Sequence, residues 1–77
     1  MKTEYRAWAN GGSVDVVYES RHEAARQLLA LGFMSSHIDS CDGSTEYWVP
    51  VDSMPSQWVD IICDGGNPPA AIIEIGR

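Results

Sequence analysis

The pattern that most limits how this chain can fold is a pair of alternating segments on either side of an Asn10-Gly11-Gly12 turn. Apolar and polar residues alternate through residues 3–10 and again through residues 13–19, which is the two-residue period of a half-buried β-strand. Asn and Gly tolerate the positive φ of a tight turn. Together these segments predict a β-hairpin.

A helix is predicted over residues 21–31. Ser20-Arg21-His22-Glu23 fits a capping box, in which the Ser20 hydroxyl accepts the backbone N–H of Glu23 and the Glu23 carboxylate reaches back to the N–H of Ser20. Gly32 suits the position after the helix, with Phe33 supplying the apolar contact of such a cap. The apolar stripe comprises Ala24, Ala25, Leu28, Leu29 and Leu31.

The second half of the chain is less regular. A hairpin is predicted around Asp42-Gly43, between strands at residues 36–41 and 44–51, and Pro50 indicates an edge strand or the end of pairing. Residues 53–63 have helical spacing, with Asp52 or Ser53 as the cap and Pro55 in the first turn, which favours a short second helix that ends at Gly65. The β-prone residues 59–63 leave a strand as the alternative. A final strand is predicted over residues 70–75.

These elements predict an α+β fold in the order β-β-α-β-β-α-β. The expected architecture is an antiparallel β-sheet with one helix on one face and a short second helix. A length of 77 residues predicts a single small domain over residues 1–77.

The charges are acidic and unevenly distributed. Five bases oppose eleven acids, for a formal net charge of −6. Direct binding to nucleic acid or to an anionic membrane is not expected, because both need a positive surface. Residues 27–76 contain no Lys or Arg. Their acids are Asp39, Asp42, Glu46, Asp52, Asp60, Asp64 and Glu74.

The sequence also predicts the compartment of the protein and the state of its two cysteines. Residues 1–4 lead into a polar strand without an apolar targeting segment, and no apolar run approaches the roughly 18 residues of a membrane span. The expected compartment is the cytosol of a bacterium or of a host cell. Cys41 and Cys63 are expected to be reduced, partly buried thiols, with a Cys41–Cys63 bridge as the alternative.

No motif predicts catalysis, a metal site or a cofactor. The candidate reactive groups are His22, His37, Cys41 and Cys63, and no local signature pairs a cysteine with a histidine. The two histidines lie too far apart in sequence for a zinc site, as do the two cysteines. Both glycine-rich segments read as turns rather than phosphate-binding loops.

Two tryptophans stand out. Alternation places Trp8 and Trp48, with Val17, on the polar faces of their strands, where exposed aromatic residues are typical of a contact site. The alternative is that the second helix covers this face and packs Trp58, Ile61 and Ile62 on the two tryptophans.

The acidic run predicts contact with a basic partner. Carboxylates two residues apart on a strand stand about 7 Å apart on one face. This spacing is close to that of neighbouring phosphates on one nucleic-acid strand, whose rise is roughly 3.4 Å before the sideways step of the helix. The predicted partner-binding residues are Asp39, Asp42, Glu46, Trp48, Asp52, Asp60 and Asp64.

In length, in its base-free run 27–76 and in its lack of a catalytic motif, the chain resembles the small acidic inhibitors encoded by bacteriophages, among them the anti-CRISPR proteins. This resemblance implies a non-catalytic inhibitor whose acidic surface occupies a basic nucleic-acid-binding site on a partner protein or nucleoprotein, such as a CRISPR effector complex. One alternative is a structural domain that forms a homodimer through an edge strand or the tryptophan-bearing face. Another is a small enzyme that uses Cys41 or Cys63 with a histidine.

Overall fold

A computed structural model of the chain describes residues 2–76. Its strands are β1 (Thr3–Ala9), β2 (Val14–Tyr18), β3 (Phe33–Asp39), β4 (Thr45–Pro50) and β5 (Ala70–Gly76). Its helices are α1 (Arg21–Ala30) and α2 (Pro55–Cys63), and a single 3₁₀ turn at Asn10–Gly12 joins β1 to β2. The predicted order of elements is confirmed.

The five strands form one antiparallel sheet in the order β2-β1-β5-β4-β3. The last strand of the sequence lies at the centre of the sheet, where it pairs with β1 on one side and with β4 on the other. β5 thus joins the two hairpins, and the predicted α+β class is confirmed.

The hydrophobic core lies between α1 and one face of the sheet. Ala7 and Ala9 of β1 supply small residues on this face, so that α1 can approach closely with Ala24 and Leu28. The remaining members of this buried cluster are Ala25, Phe33, Trp48, Ala70 and Ile72. We call this the inner face of the sheet, and the opposite side the outer face.

Local signals set both ends of α1 as expected. The Ser20 hydroxyl accepts the backbone N–H of Glu23 at 3.2 Å, which is the first bond of the predicted capping box. Gly32 has a φ of 93° and its N–H reaches the carbonyl of Leu29, as a residue that ends a helix does.

β3 begins at Phe33 rather than at residue 36, because Phe33 is itself a core residue that pairs with Pro50. The register shifts between Ser35 and Ile38, and His37 adopts a φ of 60° within this bulge. The bulge puts the Ser36 hydroxyl 2.7 Å from the carbonyl of Tyr47, which satisfies a buried polar group.

Residues 55–63 form a helix, and the strand alternative for this segment is wrong. Met54 occupies the N-cap position, not Asp52 or Ser53 as the sequence suggested, because Ser53 uses its hydroxyl to bond Pro50 and Trp58 instead. No residue of α2 is buried. Within residues 2–76, neither helix is long and apolar enough to cross a membrane.

Candidate partner-binding surface

The predicted acidic residues fall into two groups along the chain. Asp39 and Asp42 lie at the β3–β4 turn, beside Glu46. Asp52, Asp60 and Asp64 follow β4 in the chain, in the segment that carries α2.

Glu46 is part of the internal structure of the protein. Its carboxylate accepts hydrogen bonds from Arg21 Nε at 2.8 Å, Ser35 Oγ at 3.2 Å and the indole N–H of Trp48 at 3.1 Å. The Arg21 guanidinium also donates through Nη2, so the ion pair is bidentate. The Glu46 side chain is 19% exposed. It fastens the start of α1 to β4, and its charge is largely neutralised.

The charge of Asp39 is also partly balanced at this end of the sheet. Asp39 is the cross-strand neighbour of Glu46, and Arg21 lies with both carboxylates and Glu74 in a cleft of about 210 Å³. The hydrogen bond from Arg21 to Glu46, and then the charges of Glu46 and Asp39, raise the pKa of the Arg21 guanidinium. This end of the molecule is therefore of mixed charge.

Asp42 shapes the β3–β4 turn. Its Oδ1 accepts hydrogen bonds from Ser40 Oγ at 2.5 Å, Ser44 N at 3.0 Å and Ser44 Oγ at 2.8 Å. These bonds, that from Ser40 first, lower the pKa of Asp42 to about 2. The Asp42 side chain is exposed, but its Oδ1 is already occupied by hydrogen bonds that stabilise the turn.

The segment that carries α2 has only negatively charged side chains. Residues 51–69 contain Asp52, Asp60 and Asp64 and no Lys, Arg or His. None of the three carboxylates forms an ion pair or a side-chain hydrogen bond with any residue between 2 and 76. All three residues are exposed. The negative charges of these three residues are therefore not neutralised by any base within the described chain.

Most bases of the first third are already committed. Lys2 pairs with Glu19, Arg6 with Asp15 and Arg21 with Glu46. Accordingly the pKa of Asp15 is lowered by its hydrogen bond to Arg6, and that of Glu19 by its hydrogen bond to Lys2. Within residues 2–76 these bases do not extend across the α2 segment.

The prediction that Trp8 and Trp48 share one face of the sheet is wrong, and Trp48 is too buried to serve as a partner-binding residue. Trp48 is 3% exposed, within the core between α1 and the sheet, and its indole N–H is bonded to Glu46. Trp8 pairs with Ala71 and Trp48 with Ala70, and consecutive strand residues point to opposite faces. The two tryptophans therefore lie on opposite sides of the sheet, and one helix cannot cover both.

Sequence reasoning missed a set of exposed apolar side chains beside the uncompensated acids. Met54 is 63% exposed, Val51 56% and Ile61 45%, with Val59 also exposed. The helical spacing of 53–63 identified the helix, but it suggested that Ile61 packs inward on the tryptophans. In the structure Trp58 and Ile62 are half-buried on α2, and Ile61 lies at an exposed edge of the helix.

Within the part of the chain that the structure describes, residues 2–76, neither candidate cysteine forms a hydrogen bond with a histidine. Cys41 lies in the β3–β4 turn and Cys63 ends α2. Both are free and exposed, which corrects the expectation of partly buried thiols and excludes the Cys41–Cys63 bridge in this structure. His22 and His37 are exposed, on α1 and on the β3 bulge. Among residues 2–76 no cluster of three or more His, Cys, Asp or Glu could hold a metal ion.

Comparison of the chain with protein-family models, with curated proteins and with solved structures finds no match.

Proposed function

We propose that this protein is a non-catalytic binding module that acts in the cytosol of a bacterium or of a host cell. It inhibits a nucleic-acid-binding partner by placing carboxylates in the partner's basic site, in the manner of the small acidic phage-encoded inhibitors. A CRISPR effector complex is one such partner. The observation that carries the proposal is the group formed by Asp52, Asp60 and Asp64, which no base in residues 2–76 neutralises.

The position of these acids on α2 supports the proposal. Asp60 lies in the last turn and Asp64 at the C-cap, and that turn contains no base. The carbonyl end of a helix is partly negative, so acids are unfavourable there and bases are preferred. Residues that break a local stability rule are typical of functional sites.

The spacing of the two helical carboxylates also suits a partner surface that normally binds the phosphates of a nucleic acid. Asp60 and Asp64 are four residues apart, hence about 6 Å along the helix axis. The strand ladder of acids suggested by the sequence is not needed for this spacing. Asp39 and Asp42 supply a second, weaker negative region, and Glu46 is assigned to the fold rather than to the partner.

The proposal predicts charge-dependent capture of basic proteins. The purified protein is immobilised and exposed to a nuclease-treated bacterial lysate at about 50 mM salt, since screening grows with ionic strength. We expect nucleic-acid-binding proteins to be retained, released by a salt step and displaced by added DNA or RNA. The triple variant Asp52→Asn, Asp60→Asn, Asp64→Asn should lose this retention while keeping its helical content.

The control is a triple variant that changes the net charge equally elsewhere: Asp15→Asn, Glu19→Gln, Glu23→Gln. It should still retain the same proteins, because it leaves the α2 acids in place. Equal retention by the Asp52, Asp60 and Asp64 variant, or captured proteins that do not bind nucleic acid, would show that charge mimicry is not the function.

A further inference from the structure

We infer that α2 is the element that enters the partner, and that it docks an apolar ridge into an apolar groove rimmed by Lys or Arg. The ridge consists of Met54 and Ile61, and we call it the α2 ridge. The inference rests on the proposed function for the basic character of the partner, and adds which element makes the contact and what the basic site must contain.

Exposed apolar surface is concentrated at this segment. Among residues 2–76, eight large hydrophobic residues are exposed, and four of them lie between residues 51 and 61: Val51, Met54, Val59 and Ile61. Contiguous exposed apolar groups of this kind are typical of contact surfaces rather than of solvated ones. Trp58 and Ile62 form the half-buried side of α2. Val59 is exposed on one edge of this side, and Met54 and Ile61 are exposed on the other edge.

The apolar ridge and the acids are neighbours on the helix. At about 100° per residue, Met54 and Ile61 lie within about 20° of each other, two turns apart. Asp64 follows Ile61 by three residues and Asp60 precedes Asp64 by four, and such spacings bring side chains together on a helix surface. The partner surface must therefore combine an apolar groove with bases along one side.

Charge decides against a second copy of this chain as the occupant. In a symmetric pair built on α2, each ridge would meet the same ridge of its partner. Asp52, Asp60 and Asp64 would then face their own copies, and residues 51–69 hold no base to offset them. Like charges at an interface disfavour association, whereas a rim of Lys or Arg favours it.

α2 is held in place without being buried. The Trp58 indole N–H donates to Ser53 Oγ at 3.1 Å, and Ser53 Oγ donates to the carbonyl of Pro50 at 2.7 Å. At the other end, the N–H of Gly66 reaches the carbonyl of Ile61 at 2.8 Å, and that of Gly65 reaches Ile62 at 3.2 Å. A helix fixed in advance loses less conformational freedom on binding.

The test uses a basic amphipathic helical peptide of 18 residues, built from Leu on one face and Lys on the other, as a stand-in for the partner surface. It is titrated into the ¹⁵N-labelled full-length protein at low salt and followed by NMR. We expect binding, with chemical-shift changes centred on residues 51–66. A peptide with Ser in place of Leu should bind at least tenfold more weakly, and one with Glu in place of Lys should not bind.

Protein variants locate the contact. Met54→Ser with Ile61→Ser should weaken binding of the Leu/Lys peptide at least tenfold, and circular dichroism should show the fold retained, because neither residue is buried. The matched control is Leu29→Ser on α1, which removes an equally exposed apolar side chain (55%) and should change binding less than twofold.

The outcomes separate the two proposals. Shift changes centred on Asp39 and Asp42, or equal binding of the Ser/Lys peptide at residues 51–66, would overturn the apolar docking of α2 and leave charge mimicry standing. Failure of both basic peptides to bind would overturn both. A dimer in sedimentation that Ile61→Ser dissociates would overturn the inference in favour of a second copy.

Discussion

Asp42 accepts hydrogen bonds from Ser40 and Ser44, and these bonds hold its pKa at about 2, below its ordinary value of 3.8. A carboxyl group whose pKa is lower in the folded than in the unfolded chain stabilises the fold when it is ionised. The stabilisation from Asp42 is therefore present above about pH 4 and is lost as the pH falls toward 2. The ionised Asp42 carboxylate thus stabilises the fold although it lies in an exposed turn.

Asp42→Asn should remove this part of the acid sensitivity. Between about pH 4 and pH 2, the wild-type protein should lose more of its free energy of unfolding than the variant does, as measured by urea denaturation at several pH values. Asp64→Asn is the control, since Asp64 makes no side-chain hydrogen bond within residues 2–76, and it should keep the wild-type dependence. Direct NMR titration of the Asp42 carboxyl near pH 4 would contradict the prediction.

Single residues whose role is local could be predicted from the sequence. Ser20 caps α1, and Gly32 and Gly65 adopt the positive φ that ends each helix. Trp48 could not be placed, because alternation shows which residues share a face but not which face meets α1. The exposure of Cys41 and Cys63 depends in the same way on what packs against them.

The two helices are fixed by different interactions. α1 buries Ala24, Ala25 and Leu28 against the sheet, so packing holds it. No residue of α2 is fully buried, although Trp58 and Ile62 are half-buried. The helix is held by the hydrogen bonds that link Trp58, Ser53 and Pro50 and by the turn at Gly65 and Gly66. Its stability is therefore more local than that of α1, as expected for elements that open independently of the core.

Gly66→Ala should loosen the end of α2 without unfolding the sheet. A Cβ at this position would lie 2.7 Å from the carbonyl oxygen of Ile61, which accepts the Gly66 N–H. We expect faster hydrogen exchange at residues 61–66 and a change of less than about 1 kcal/mol in the global free energy of unfolding. Gly76→Ala, where an added Cβ meets nothing within 4 Å, is the control and should leave exchange in α2 unchanged. Unchanged exchange in Gly66→Ala would show that this turn does not hold the helix.

At the scale of the whole molecule, the buried cluster that includes Leu28 lies between α1 and the inner face of the sheet, and Val49 and Ala71 are buried on the outer face. Leu28 is completely buried between α1 and the inner face, whereas Ile61 on α2 is exposed. α1 therefore contributes to the stability of the fold, whereas α2 supplies exposed surface. A substitution in each separates these roles.

Leu28→Ala should cost about 2–5 kcal/mol, because it leaves a cavity in the core. That is a large part of the stability of a domain of this size. Ile61→Ser should cost less than about 1 kcal/mol, since its side chain is already in water. Both values come from chemical denaturation followed by fluorescence. Comparable losses would mean that α2 is part of the core.

The distribution of charge is also a property of the whole molecule. The sequence shows a base-free run of seven acids, but the fold brings Arg21 onto Glu46 and places Asp39 and Glu74 around the same cleft. Asp52, Asp60 and Asp64 form no ion pair within residues 2–76. The expected continuous negative surface is therefore reduced to the α2 segment and a mixed region at the β3–β4 turn. This division is why the proposed contact rests on Asp52, Asp60 and Asp64.

The sequence by itself determined the order of the elements, the α+β class and the ends of α1, because period-two alternation, capping residues and positive-φ glycines act over a few neighbouring residues. The tertiary structure alone decided that β5 lies at the centre, that Trp48 is buried and that Glu46 is paired with Arg21. It also decided that no residue of α2 is fully buried and that Asp52, Asp60 and Asp64 have no ion-pair partner within residues 2–76. These facts depend on contacts between residues far apart in the chain, and no local pattern records which distant surface a side chain will meet.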